Sequence, residues 1–171
     1  MGLQVFNPQE TRRCSLTTAR KASTLIKGSQ NGLEGHNWPF APDKLLKQMQ
    51  AGLTRVALID KELVGIILLK QYLAQGWGRL SWPFVLFACR YVGIENELVW
   101  ALSQTFDSEF KLIMPVRSPI NQKQIAQFGF RTTSFAWLRE NHPQAWQETC
   151  VCQTSVNCPM ADKECLLLVR D

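Results

Sequence analysis

The sequence predicts a mixed α/β fold in a single domain that spans residues 1–171. The length suits one hydrophobic core, since a domain usually takes about 100–200 residues. Apolar residues recur with helical spacing in some segments and alternate in others, and the second half contains a strand–helix–strand crossover. The composition, 46% hydrophobic and 19% charged, excludes the disordered, collagen-like and coiled-coil classes. We expect about seven strands and about four helices.

The first elements are a short strand and two helices. Leu3 to Asn7 alternate and predict a strand. Ser15 is a suitable N-cap for a helix with one apolar face, which ends at Gly28. Pro42 opens a second short helix, and Gly52 ends it.

Three antiparallel strands are expected next. Thr54 to Ile59 and Leu63 to Tyr72 are rich in Val, Ile and Leu, and the polar residues between them predict a tight turn. Leu80 to Cys89 then predicts the third strand of this meander.

The second half is predicted to alternate between helices and strands. A helix begins near Ile94, and Phe110 to Val116 alternate as a strand. A helix follows from Ser118 to Gly129. Two final strands, Phe130 to Leu138 and Cys165 to Val169, flank a cysteine-rich connection at about residues 144–164.

The junction before the helix at Ile94 could hold a phosphate group. Gly93 stands where the helix begins, and the first turn of a helix leaves backbone N–H groups unpaired at the positive end of the macrodipole. A glycine lets a phosphate approach that backbone, and Arg90 adds a cation. These residues alone leave two interpretations open, a pyrophosphate site and an ordinary strand-to-helix turn.

The order of elements and the segment Arg90-x-x-Gly93-Ile94-x-x-x-Leu98 together resemble the GNAT superfamily of acyl-CoA-dependent N-acyltransferases. Downstream, Met114-Pro115-Val116, Asn121 and Gln127-Phe128-Gly129-Phe130 look like the fifth strand, the Asn-bearing helix and the next strand entry of that family. The resemblance covers essentially the whole chain. It implies a GNAT-like fold with a central mixed, mostly antiparallel sheet.

The resemblance also implies a co-substrate and a reaction. Acetyl-CoA, or another acyl-CoA, would donate its acyl group directly to a small-molecule or protein amine in a ternary complex. The pantetheine arm would lie along backbone groups near Val85, Leu86 and Phe87, with Asn121 on its other side. The residues expected around the pyrophosphate are Arg90, Tyr91, Val92, Gly93, Ile94 and Glu95.

The attacking amine must lose a proton, so the reaction needs a base or a chain of waters. Tyr72 and His36 are the candidate catalytic residues. Each has a plain alternative: Tyr72 as a half-buried strand residue and His36 as an exposed loop residue.

The sequence departs from the family pattern in three ways. Glu95 places a carboxylate beside the expected pyrophosphate, and Tyr91 and Val92 make the loop bulkier. Ile125 stands where the family often has a tyrosine that protonates the leaving thiolate. These departures raise an alternative function, a catalytically silent module that binds acyl-CoA or a protein partner.

Four of the six cysteines lie close together near the C-terminus. Cys150, Cys152, Cys158 and Cys165 could close a tetrahedral zinc site, but their spacing differs from that of common zinc modules. Reduced thiols are the other interpretation, with disulfides least favoured. We therefore assign no metal.

The charge and hydropathy patterns bear on partners and location. The net charge of +5 is spread along the chain rather than concentrated, which argues against a nucleic-acid-binding protein. No apolar run approaches the ~20 residues of a membrane span, and no signal-peptide pattern is seen. We expect a cytoplasmic protein. The resemblance is compatible with a homodimer, since the exposed last strands of such folds often pair, but the sequence does not determine the oligomeric state.

Overall fold

A computed structural model describes residues 2–10, 14–29, 41–72, 76–90, 92–106, 109–116, 125–149 and 166–170. The chain forms two compact units. The first contains Met1–Lys70 and Ser81–Phe106, and the second contains Gln71–Leu80 and Asp107–Asp171. In the described residues, no helix combines the length and the apolar character that crossing a bilayer requires.

The described residues contain eight strands and five α-helices. The strands are β1 (Leu3–Phe6), β2 (Thr54–Ile59), β3 (Glu62–Tyr72), β4 (Trp77–Leu80), β5 (Phe84–Val85), β6 (Lys111–Val116), β7 (Arg131–Ser134) and β8 (Leu166–Arg170). The helices are α1 (Leu16–Ser29), α2 (Pro42–Gln50), α3 (Ile94–Ser103), α4 (Phe135–Asn141) and α5 (Pro143–Thr149), with a 3-10 turn at Phe87–Cys89.

The first unit is built on antiparallel strands. β1 pairs with β2, β2 with β3, and β3 with the short β5, where Gly65 lies opposite Val85. Asp60 and Lys61 both have positive φ angles, of 50° and 71°, which is typical of the two-residue turns that connect hairpin strands. The tight turn expected between the two apolar strands is therefore confirmed.

Helices α1 and α2 pack on the strands of this unit through their apolar faces. The hydroxyl oxygen of Ser15 accepts a hydrogen bond from the backbone N–H of Thr18 at 3.1 Å, as expected of an N-cap. Pro42 begins α2, as the sequence predicts. The shared core consists of buried aliphatic side chains, among them Ala22, Ile26, Leu45, Met49 and Ile66.

The second unit has the strand order β4-β6-β8-β7. β4 and β6 are parallel, whereas β6 with β8 and β7 with β8 are antiparallel. Its core contains Trp77, Ile113, Leu138, Ala145 and Val169. Both units together confirm the mixed α/β class with mostly antiparallel strands.

The prediction of one strand from Leu80 to Cys89 is wrong. β4 ends at Leu80, and only residues 84–85 are extended again before a 3-10 turn begins at Phe87. Pro83 has no N–H to donate, which interrupts a strand that would otherwise continue. The antiparallel pairing of β5 with β3 agrees with the predicted meander, and the parallel pairing of β4 with β6 agrees with a strand–helix–strand crossover.

The prediction of a strand from Phe130 to Leu138 is correct only in its first half. The chain is extended at Arg131–Ser134 and helical from Phe135. The Ser134 hydroxyl accepts a hydrogen bond from the backbone N–H of Trp137 at 3.0 Å, so it caps α4. The short apolar run at residues 135–138 does not by itself distinguish a strand from the first turn of a helix.

The helix expected from Ser118 to Gly129 lies mostly outside the described residues. Its end is described, since residues 125–126 are helical and Gly129 has a φ of 84°. That left-handed conformation is the usual way for a glycine to end a helix.

Gly65 allows β3 to lie close to α3. A Cβ atom at this position would be 3.0 Å from Cδ1 of Leu98 and 3.2 Å from Cγ2 of Ile94. We expect Gly65→Val to lower the free energy of unfolding by about 1–2 kcal/mol, because an overpacked core forces side chains off their rotamers. Urea unfolding monitored by circular dichroism measures this change.

Gly28 provides the matched control for that experiment. It lies in α1, and a Cβ atom added there would have no heavy atom within 4 Å, so Gly28→Ala should leave stability unchanged or raise it. Equal unfolding midpoints for Gly65→Val and the wild type would show that β3 and α3 do not need this close approach.

Candidate functional site

The segment between β5 and α3 carries most of the residues that the sequence assigns to a ligand. Val85 is buried and pairs with Gly65 of β3. The N–H of Leu86 donates to the carbonyl oxygen of Val64 at 2.9 Å. The N–H of Leu86 is therefore engaged within the fold, and a ligand in this region would have to use other backbone groups.

Phe87 is exposed in this segment, and the half-buried Arg90 lies beside it. The Phe87 side chain is 83% exposed, and the guanidinium carbon of Arg90 lies 5.6 Å from the centre of its ring. The 3-10 turn sets this spacing, since the N–H of Arg90 donates to the carbonyl oxygen of Phe87 at 3.3 Å. A cation is thus held next to an exposed aromatic ring just before α3.

The N-terminus of α3 is open to an anion. Gly93 is the N-cap residue with a φ of 90°, and no side chain caps the helix. The first intrahelical bond runs from the N–H of Glu97 to the carbonyl oxygen of Gly93 at 3.1 Å. The N–H groups of the three residues before Glu97 have no intrahelical acceptor, and the macrodipole makes this end positive.

Space in front of this helix end is also open. A Cβ atom on Gly93 would have no heavy atom within 4 Å among the described residues, its two chain neighbours aside. Val92 is well exposed, whereas Ile94 is buried in the core and could offer a ligand only its backbone. The positive φ explains why glycine suits this position, and the missing side chain leaves an anion a path to the backbone N–H groups.

Two carboxylates lie in the first turn of α3. Glu95 is half-buried and Glu97 is exposed. Both suit the positive end of the helix, but both would repel a ligand phosphate. Glu97 also lines a groove of about 380 Å³ together with Leu3, Val92 and Trp100.

Tyr72, one of the two candidate catalytic residues, lies at the end of β3 in the second unit. Its ring stacks on Trp77, with centroids 4.1 Å apart and planes 14° from parallel. It is half-buried and packs on the core of that unit. This placement agrees with a packing role, and a role in proton transfer stays a prediction.

Several predicted site residues lie outside the described residues. They are His36, Tyr91 and Asn121, and the cysteines Cys150, Cys152, Cys158 and Cys165. The described cysteines, Cys14 and Cys89, are free thiols, and burial raises the pKa of Cys14. In the described ranges, no three His, Cys, Asp or Glu side chains come together in a way that could hold a metal ion.

The fold resembles that of solved N-acetyltransferases. An N-acetylglutamate synthase from Neisseria gonorrhoeae, complexed with coenzyme A and N-acetyl-glutamate, matches with a TM-score of 0.60 and 15% identity over 99% of this chain. The PaiA N-acetyltransferase from Thermoplasma acidophilum, in complex with coenzyme A, matches with a TM-score of 0.63 and 11% identity over 100% of this chain and 99% of its own. The diaminobutyrate acetyltransferase from Paenibacillus lautus matches with a TM-score of 0.59 and 13% identity over 98% and 93% of the two chains.

This chain spans only 35% of the length of the N-acetylglutamate synthase. No protein-family model matches the sequence, and a search of curated proteins finds no match. At identities of 11–15% the similarity establishes a GNAT-like fold.

Proposed function

We propose that the protein is an N-acyltransferase that moves an acetyl or acyl group from acyl-CoA to an amine. The observation that carries this proposal is the open N-terminus of α3, where Gly93 has a positive φ and unobstructed space. The GNAT-like fold supports it, since the three matched structures described above are all complexes with coenzyme A. The diaminobutyrate acetyltransferase was solved with its amino-acid substrate and coenzyme A.

The pyrophosphate of CoA would bind at the first turn of α3. Its oxygens would accept hydrogen bonds from the backbone N–H groups around Gly93 and Glu95, and Arg90 would supply the cation. Tyr91 and Asn121 are proposed contacts of the same ligand.

The proposed chemistry is direct attack on the thioester. The amine nitrogen forms a bond to the acyl carbon, the carbon–sulfur bond breaks, and the CoA thiolate leaves. The amine loses one proton and the thiolate gains one, so proton transfer must accompany the step. Tyr72 and His36 are the proposed proton-transfer residues, with ordered water as the alternative.

A second candidate function is binding without transfer. Ile125 stands where a thiolate-protonating tyrosine is expected, and it is 1% exposed, as a core residue would be. Glu95 and Glu97 both place negative charge at the proposed phosphate site. A silent module of either kind would tolerate the missing tyrosine, and one that binds a protein partner would also tolerate the two carboxylates.

Calorimetric titration with acetyl-CoA and with CoA tests the proposal first. Micromolar affinity for both ligands, followed by acyl transfer to members of a panel of amines, would support an N-acyltransferase. Affinity without transfer would favour the silent module. The absence of binding at millimolar ligand would contradict both an acyltransferase and an acyl-CoA-binding module, and would leave the module that binds a protein partner.

Glu95→Gln should strengthen CoA binding by about three- to tenfold, because it removes a negative charge from beside the pyrophosphate. The gain should shrink as salt is added, since ions screen the repulsion. Calorimetry at two ionic strengths measures both effects.

Glu62→Gln is the control for that variant. Glu62 carries the same charge on β3, in an exposed ion pair with Lys21 at 3.0 Å. Its replacement should leave CoA affinity unchanged. Equal affinities for Glu95→Gln and the wild type would place the pyrophosphate away from the first turn of α3.

A further inference from the structure

The second unit contains a small pocket with aromatic walls. Its volume is about 190 Å³, and its lining includes Trp77, Trp137 and His142. An apolar cavity of about 150 Å³ is large enough for benzene. The pocket is therefore the size of one aromatic or branched aliphatic side chain.

Neighbouring residues hold the aromatic walls in place. Trp77 is 4% exposed and stacks on Tyr72. Trp137 meets the ring of His142 edge-on, with centroids 5.3 Å apart. The guanidinium carbon of Arg131 lies 4.6 Å from the centre of the Trp137 ring. Walls fixed in this way cost a ligand little reorganisation on binding.

Two opposite charges line the same pocket. Glu109 is exposed and Lys111 is half-buried. Within the part of the chain that the structure describes, neither side chain takes part in an ion pair or a hydrogen bond. The pocket thus combines an apolar interior with a carboxylate and an ammonium group that are both able to pair with a ligand.

We propose that this pocket binds a free hydrophobic α-amino acid. The apolar side chain would enter between Trp77 and Trp137. The ammonium group of the ligand would pair with the Glu109 carboxylate, and its carboxylate would pair with the Lys111 ammonium group. A ligand without charged groups would pair with neither Glu109 nor Lys111, and a ligand with one charged group would pair with only one of them.

The proposal does not depend on the proposed acyl transfer, because amino-acid binding can be measured without acyl-CoA. The test uses calorimetry on the full chain without CoA and three ligands of one shape. L-Phenylalanine carries both charged groups, 2-phenylethylamine lacks the carboxylate, and 3-phenylpropionate lacks the ammonium group. We expect phenylalanine to bind best and each analogue to bind about two- to fivefold more weakly, as is usual for partly exposed ion pairs.

Two variants assign each charge to its partner. Lys111→Met should remove the advantage of phenylalanine over 2-phenylethylamine, and Glu109→Gln should remove its advantage over 3-phenylpropionate. Glu109 is exposed and Lys111 is only half-buried, so both variants should fold. Lys27→Met, an exposed change in the last turn of α1, is the control and should alter none of the three affinities.

The proposal is overturned if phenylalanine does not bind at millimolar concentration. It is equally overturned if the three ligands bind with the same affinity, since the pocket would then select only for an apolar ring. Unchanged phenylalanine affinity in both charge variants would overturn it as well.

Discussion

Replacing Gly93 with aspartate should weaken CoA binding by about a hundredfold, or roughly 2.7 kcal/mol. The new carboxylate would stand at the helix N-terminus, in the open space that the proposed pyrophosphate needs. It would repel the phosphates and block their path to the backbone N–H groups. Calorimetric titration with CoA measures the loss.

Asparagine is the matched control at this position. Asp and Asn have nearly the same shape, and both tolerate the left-handed conformation that Gly93 adopts with its φ of 90°. Gly93→Asn should therefore fold like Gly93→Asp and retain more of the affinity. If Gly93→Asp binds CoA as tightly as the wild type does, the pyrophosphate does not bind at α3.

The second large effect is expected at Arg55, a charged residue that is only 6% exposed. Its guanidinium donates to the carbonyl oxygens of Gly52 at 3.1 Å and Thr54 at 2.7 Å, and to the hydroxyl of Thr105. Burial lowers the pKa of Arg55, and the nearby charge of Glu10 partly opposes that shift.

Arg55→Met should lower the free energy of unfolding by about 3 kcal/mol, or roughly 1 kcal/mol for each acceptor left without its donor. Methionine keeps much of the side-chain length, so the loss reflects the hydrogen bonds more than a cavity. Urea unfolding measures the change.

Arg20→Met serves as the control, because Arg20 is an exposed residue of α1. It should change stability by less than about 0.5 kcal/mol. If Arg55→Met were as stable as this control, the buried guanidinium would contribute nothing net to folding.

Elements with strong local signals were predictable from the sequence. Ser15 and Pro42 mark the beginnings of α1 and α2, and the turn at Asp60 and Lys61 separates two apolar strands. Each of these signals acts within a few residues of the chain. The loop at Gly93 was also predictable, because a residue that must adopt a positive φ just before a helix is usually a glycine.

Features that depend on distant partners were not predictable in this way. The predicted strand–helix–strand crossover agrees with the parallel pairing of β4 and β6, but residues 77–80 are extended because they pair with that distant strand, which no local pattern shows. The helix at Phe135 was missed for another reason: its Ser134 cap is a local signal, but the apolar residues 135–138 after it suit a strand equally well. The pocket lined by Trp77 and Trp137 was not predictable either, because Trp137 lies in the segment that the sequence predicts as a strand.

The backbone conformation at Gly93 also bears on how such a protein can diverge. A ligand held by main-chain amides constrains the path of the chain and leaves most side chains free to drift over evolutionary time. Homologues of such a protein can then share an architecture while their sequences lose every recognisable signature. The φ angle of the residue before α3 would be a better marker for finding them than any sequence motif.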